Sequence, residues 1–183
     1  SSGITITGTT TEVKAAIVTE ATKAVMTSGK VRLTDTGTVA ATVLSGIGAV
    51  TEGTVTVNGA MTISGSTEEI KNALVTESSK VIATTSANVT FVGDNPTGAE
   101  LADINTAAGG TITLHSDAQT FTGSAAVMKE AFAGGLANTQ TGAVTISDTE
   151  GTITATRLIA IGEQTDGVVT ATGAITISGT TEQ

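Results

Sequence analysis

An α/β repeat solenoid is the fold class this sequence predicts, with about 57-residue β-α-β-α-β units stacked in tandem; a mainly-β solenoid is the alternative. Three observations predict it. The stretch ITITGTTTEVKAAIVTEATK (4–23) returns as MTISGSTEEIKNALVTESSK (61–80), with 11 of 20 paired positions identical. A weaker copy, QTFTGSAAVMKEAFAG, opens at Gln119, and ITISGTTEQ opens at Ile175. Each copy runs from an alternating, strand-like segment into an apolar pattern of helical period. Repeats of this length are the mark of stacked supersecondary units. The units are 4–60, 61–118 and 119–174, and 175–183 starts a fourth or forms a docking strand.

The elements of one unit follow from local chemistry. Met61-Thr62-Ile63-Ser64 alternates as a strand does. Hydroxyl residues followed by Glu12 or Glu69 then form a helix N-cap signature. Val13, Ala16 and Ile17, matched by Ile70, Ala73 and Leu74, share one helix face, so 12–26 and its equivalents are expected to be amphipathic helices. A second strand is expected at 31–34, 89–92 and 144–147. It ends in an Asp-containing turn, TDTGT or SDTEGT. Glu100–Ala108 reads as a shorter helix, whereas TVAATVL and TITATRL carry Thr and Val that also suit strand. A third strand is expected at 54–57, 111–114 and 168–171. Asn58-Gly59 is a strong hairpin signal between that strand and the next unit.

Composition narrows the core and the partners. Aromatics make up 2% of the 183 residues, so Ile, Val, Leu and Ala must build the interior. Such side chains fill thin layers better than wide ones. The 40 Thr suit half-buried pleated surfaces. A 57-residue unit of this kind buries too little apolar surface to stand alone, so neighbours must complete it. Net charge is −9 with 8 Lys and Arg, which excludes phosphate-clamping nucleic-acid partners. The absence of Cys excludes disulfides and thiolate metal sites. No apolar run approaches the roughly 18 residues of a membrane span.

Four sets of residues are candidates for function. Asp35 and Asp148 occupy equivalent turns and Asp94 sits just off that phase. They are read either as calcium ligands on repeated loops or as turn residues capping backbone amides. Lys14, Lys71 and Lys129 recur beside the apolar helix face as inter-unit contacts. They act either as ties to an in-phase Asp or as stems covering the core edge. Asn88 opens an Asn-Val-Thr glycosylation sequon. The TxT pairs, Thr5/Thr7, Thr54/Thr56, Thr111/Thr113 and Thr170/Thr172, recur only once per unit, which argues against a continuous hydroxyl ladder of the ice-binding kind. His115 is the single histidine. No nucleophile elbow, phosphate loop or paired-carboxylate cleft is present, so no catalytic residue is assigned and the chain is expected not to be an enzyme.

VTISDTEGTITATRLIAI (144–161) and GAITISGTTE (173–182) resemble the Thr/Ala/Gly-rich tandem arrays of giant bacterial secreted cell-surface proteins, cyanobacterial and proteobacterial, described as beta-strand-repeat proteins. The resemblance implies an extracellular structural or adhesive role in a filament, stalk or surface layer. It implies no catalytic residues. The expected function is that of a non-catalytic structural repeat that associates with further repeats or subunits. An adhesin-type module for a glycan or an ice surface is the alternative.

Overall fold

The computed structural model describes residues 4–19, 29–51, 53–57, 61–76, 81–83 and 87–180. It is a mixed α/β structure whose strands are all paired in parallel. β1 (Thr5–Gly8) leads directly into α1 (Thr10–Ile17). The helix starts there because Thr9 Oγ1 accepts the Glu12 N–H at 3.3 Å and Glu12 accepts the Thr9 N–H at 2.8 Å. The same reciprocal box opens α3 (Thr67–Leu74) from Ser66 and Glu69, and α4 (Gly98–Ala108) from Thr97 and Glu100. Ser124 and Thr154 cap α5 (Ala125–Phe132) and α6 (Ala155–Gly162), while α2 (Ala41–Val50) starts without a side-chain cap.

Helices 12–26 and its equivalents are expected to span fifteen residues; the helices are shorter. α1 ends at Ile17 and α3 at Leu74, and Val81–Ala83 is a strand, β6. The rest of the first such stretch, 20–26, lies outside the described residues. The two ambiguous segments divide between both states. TVAATVL supplies β3 (Thr38–Ala40) and then the first turn of α2. TITATRL supplies the end of β11 (Glu150–Thr154) and then α6. The pairing of Thr38 and Val39 with Thr62 and Ile63 holds the first half extended, and burial of Ala41, Leu44 and Ile47 at helical spacing curls the second.

The remaining strands are β2 (Lys30–Leu33), β4 (Val55–Val57), β5 (Thr62–Gly65), β7 (Ala87–Phe91), β8 (Gly109–Thr113), β9 (Phe121–Gly123), β10 (Val144–Ile146), β12 (Val169–Ala171) and β13 (Ala174–Ser178). They form sheets in the orders β1-β2-β4-β6, β3-β5-β7-β8, β9-β10-β12 and β11-β13. Partners lie 22 to 26 positions apart, from Ala87 with Gly109 to Val55 with Val81. That step is less than half the sequence period, so strands that look alike in sequence are not each other's partners. The Asn58-Gly59 turn lies outside the described residues, and β4 and β5 do not form the expected hairpin. Both edges of each are already taken by parallel partners, β2 and β6 for β4, β3 and β7 for β5.

The parallel registers line up the inward side chains. Val31, Val55 and Val81 stack in one sheet, Val39, Ile63, Val89 and Ile112 in the second, and Phe121 and Val144 in the third, all buried. The helices close the other side, α1 packing on α2 and so on in succession to α6. Phe121 and Phe132 meet edge to face at 5.5 Å. Where the chain turns into a strand, backbones approach closely. Thr51 Oγ1 donates to the Gly29 carbonyl at 2.5 Å and accepts the Gly53 N–H at 3.1 Å. Thr165 repeats this with the Gly142 carbonyl at 2.7 Å and the Gly167 N–H at 2.9 Å. A Cβ at Gly142 would collide with the Gln119 carbonyl, and one at Gly167 with the Gly142 carbonyl. Gly142→Ala should therefore lower stability by about 2 kcal/mol or more, because rigid backbone must shift. Gly46→Ala, in the middle of α2 with open space around it, should raise stability by about 0.5–1 kcal/mol. Chemical denaturation of both variants checks the opposite signs.

Candidate interaction surfaces

The three turn aspartates lie at helix N-termini. Asp35 accepts the Thr10 N–H at 2.7 Å and the Thr10 hydroxyl at 2.9 Å. Asp94 accepts the Thr67 N–H at 2.9 Å, and Asp148 the Ala125 N–H at 2.6 Å. Thr10, Thr67 and Ala125 are the first residues of α1, α3 and α5. Each carboxylate follows its helix by 23 to 27 positions, the range being set by Asp148 with Ala125 and Asp94 with Thr67. It satisfies an orphan amide at the positive end of the helix dipole, worth about 1 kcal/mol. The off-phase place of Asp94 has a local counterpart. The Thr67 hydroxyl is buried without a partner, whereas that of Thr10 reaches Asp35. Among the described residues, no group of three or more His, Cys, Asp or Glu is gathered as a metal would require.

The lysines diverge. Lys71 Nζ donates to Glu100 Oε1 at 2.7 Å, joining α3 to α4, and this is the one ion pair among the described residues. Its partner is a helix-opening Glu rather than an Asp. Lys14 and Lys129 are exposed on α1 and α5. The positions 57 away from Glu100 hold Val43 and Arg157, so the chemistry of the pair is not repeated there. Glu100 also accepts the Thr97 N–H at 3.0 Å. Lys71 first, and the Thr97 amide second, lower the Glu100 carboxyl to about 2, and Glu100 raises Lys71 in return. Glu12 is lowered by its Thr9 backbone hydrogen bond.

Asn88 lies within β7, and its Oδ1 accepts the Thr111 N–H at 3.1 Å. His115 Nδ1 accepts the Gly93 N–H at 3.2 Å. Asn95, which sequence reasoning did not single out, holds the same pair of loops. Its Oδ1 accepts the His115 and Ser116 N–H groups at 2.6 and 3.2 Å, and its Nδ2 donates to the Ser116 carbonyl at 2.9 Å. An Asn before Pro in a loop is the only signal that marks it.

The outward side chains of three of the sheets form columns of small, mostly hydroxyl and amide residues, whereas in the β1-β2-β4-β6 sheet Lys30 and Arg32 stand among the threonines. Thr38, Thr62 and Asn88 are adjacent on β3, β5 and β7; Ala40, Ser64, Thr90 and Thr113 follow beside them onto β8. Thr122, Thr145 and Thr170 line a further sheet, and Thr152 and Thr176 the last. The TxT pairs of the first sheet form no continuous ladder, since Arg32 stands between Thr7 and Thr56; in the second sheet the intervening strands supply other small polar residues. β3 and β7 bring Thr38 and Asn88 to either side of Thr62. No helix among the described residues is long and apolar enough to cross a membrane. The chain matches no family model, no curated protein and no solved structure.

Replacing Glu100 by Gln tests the Lys71 pair. A carboxyl lowered from 4.5 to about 2 contributes stability that is complete above pH 4.5 and is lost as pH falls toward 2. Glu100→Gln should be less stable than the parent by about 1 kcal/mol at pH 7. The gap should close between pH 4.5 and 2 in thermal melts at matched salt. A gap of constant size down to pH 2 would place its origin elsewhere.

Proposed function

We propose that this chain is a non-catalytic structural repeat protein, an α/β solenoid of about 57-residue units that forms or extends an extracellular, cell-surface filament, stalk or layer. The observation that carries the reading is the succession of parallel partners. β1 is followed by β2, β4 and β6, and β3 by β5, β7 and β8, while each helix packs on the next. In this reading one 57-residue unit makes two turns of the stack, since α1, α3 and α5 begin at 10, 67 and 125. Such an array is quasi-one-dimensional: adding units adds length and leaves the cross-section unchanged. The unit boundaries at 4–60, 61–118 and 119–174 fit this stacking. The cross-strand aspartate caps and the Lys71–Glu100 pair act as staples between turns.

Electron microscopy of the native material tests the reading. Continuous filaments or a layer with an axial repeat commensurate with a two-turn unit are expected. A chelator that dissolves them would assign calcium to Asp35, Asp94 and Asp148; unchanged filaments would leave those carboxylates with their helix amides alone. Discrete particles that never assemble would overturn the reading.

The hydroxyl columns favour a second reading, an adhesin-type module that meets an ordered surface. The outward positions Thr38, Ala40, Thr62, Ser64, Asn88, Thr90 and Thr113 are small and uncharged. Neighbouring strands set them about 4.8 Å apart in one direction. Ice is the surface that matches such a regular, charge-free lattice of hydroxyls, and a glycan the less suited one, since aromatic stacking platforms are scarce at 2% aromatic residues. Thermal hysteresis of the purified chain, lost in Thr62→Lys, is the expected result of this second reading. Freezing at the buffer's own melting point would remove it.

A further inference from the structure

A groove recurs at the same place in the first two units, and its chemistry differs between them. Between α1 and α2 lies a cavity of about 510 Å³, and between α3 and α4 one of about 500 Å³. Their lining residues correspond 57 positions apart. Thr10 and Lys14 of the first groove are Thr67 and Lys71 of the second. The other lining positions change: Thr11, Ala15 and Val43 become Glu68, Asn72 and Glu100. In the third unit the corresponding positions hold Ala126, Glu130 and Arg157. The first unit forms its groove with small or apolar residues at all three places, so the fold does not require the polar set of the second. Polar groups that converge on a concave surface without a packing role are the material of a binding site. A second observation concerns the buried part of the same groove. Thr67, 6% exposed, is one of its lining residues, and the Thr67 hydroxyl has no hydrogen-bond partner among the described residues. The equivalent hydroxyl of Thr10 donates to Asp35 at 2.9 Å. Asp94 takes the Thr67 N–H on Oδ1 and leaves that hydroxyl unmet. Buried hydroxyls are seldom left in this state.

We infer that the groove between α3 and α4 binds a neutral sugar residue, held by Thr67, Glu68, Lys71, Asn72 and Asp94. The inference rests on neither the filament reading nor the hydroxyl columns of the sheets. The ligand class follows from the charges and from the hydrogen bonds still open. Three carboxylates, Glu68, Asp94 and Glu100, line the groove against one ammonium, which excludes an anion. A cation meets the Lys71 ammonium and the positive end of α3. The hydrogen bond from Lys71 to Glu100, aided by the charges of Asp103 and Glu68, raises Lys71 and keeps it a charged donor. One of its three N–H groups goes to Glu100, and two remain. Asn72 accepts the Thr76 hydroxyl at 3.4 Å on Oδ1, and its amide N–H groups are left to donate. Glu68 is exposed, and its carboxylate offers acceptors, as does the second oxygen of Asp94. The groove thus presents donors and acceptors side by side. A sugar hydroxyl is both at once, and several on one ring can satisfy such a set where a simple ion cannot. Glu100 acts as a positioning residue, since it fixes the Lys71 ammonium at 2.7 Å. None of the residues named here offers an aromatic face to stack on, so affinity is weak, with a dissociation constant of about 1–10 mM.

Amide NMR of the isotope-labelled full chain tests this, with glucose, galactose, mannose and N-acetylglucosamine titrated one at a time to about 100 mM, enough to fill a site of that strength. At least one sugar should shift the amides of Thr67, Glu68 and Asn72 along a saturating curve. The amides of Thr10 and Thr11, in the counterpart groove, should stay in place and serve as the control within the same molecule. No saturating shift with any of the four sugars, or equal shifts in both grooves, would overturn the inference. The double variant Glu68→Thr/Asn72→Ala places the first unit's residues at two exposed positions. It should keep the parent's thermal midpoint and weaken the sugar by about tenfold or more. Undiminished affinity in that variant would also overturn the inference. Calcium that moves the same amides while the sugars do not would assign the groove to a cation and overturn it as well.

Discussion

The parallel backbone ladder between strands 22 to 26 residues apart is the constraint on which the rest of this structure depends. A parallel partner cannot be reached by a tight turn, so every strand depends on a segment that the chain supplies only after a helix or a long excursion. No strand here satisfies its own edge locally. The corners follow from that. Where Gly142 and Gly167 pass under their neighbours, only a residue without Cβ leaves room for the carbonyl beside it. The composition of the core follows as well. Columns of Val and Ile are what in-register parallel strands present to the helices that pack on one another in succession.

Charge is arranged to serve the same pairing of segments distant in sequence. The chain is acidic, yet several of its carboxylates are engaged in holding one element to another. Asp35, Asp94 and Asp148 each reach back to a helix that precedes them by about two dozen residues, and Glu100 both opens α4 and receives Lys71 from α3. Carboxylates at helix N-termini face the positive end of the helix dipole, which offsets part of the repulsion among like charges. Asp94, two positions farther along from its helix start than Asp35, keeps the amide of Thr67 and leaves that residue's hydroxyl without a partner among the described residues.

Much was legible in the sequence because it is written in short-range chemistry. The 57-residue period, the hydroxyl–Glu helix starts at Thr9, Ser66 and Thr97, the alternating strands at 62–65 and 144–146, and the Glu100–Ala108 helix all depend on residues within a few positions of one another. Which strand lies beside which was not legible. The period pointed to a step of 57, and Asn58-Gly59 to a hairpin, but hydrogen-bonded edges are filled by whichever strand the fold delivers, and that strand comes 22 to 26 residues later. The helix length, the division of TVAATVL between β3 and α2, the reach of Asp35 to Thr10 and the choice of Glu100 for Lys71 all follow from that delivery. The sequence by itself determined the elements and their recurrence, because capping and periodicity are local. Only the tertiary structure decided the partners, because a parallel neighbour is chosen by the closure of the whole turn and leaves no mark on the residues between.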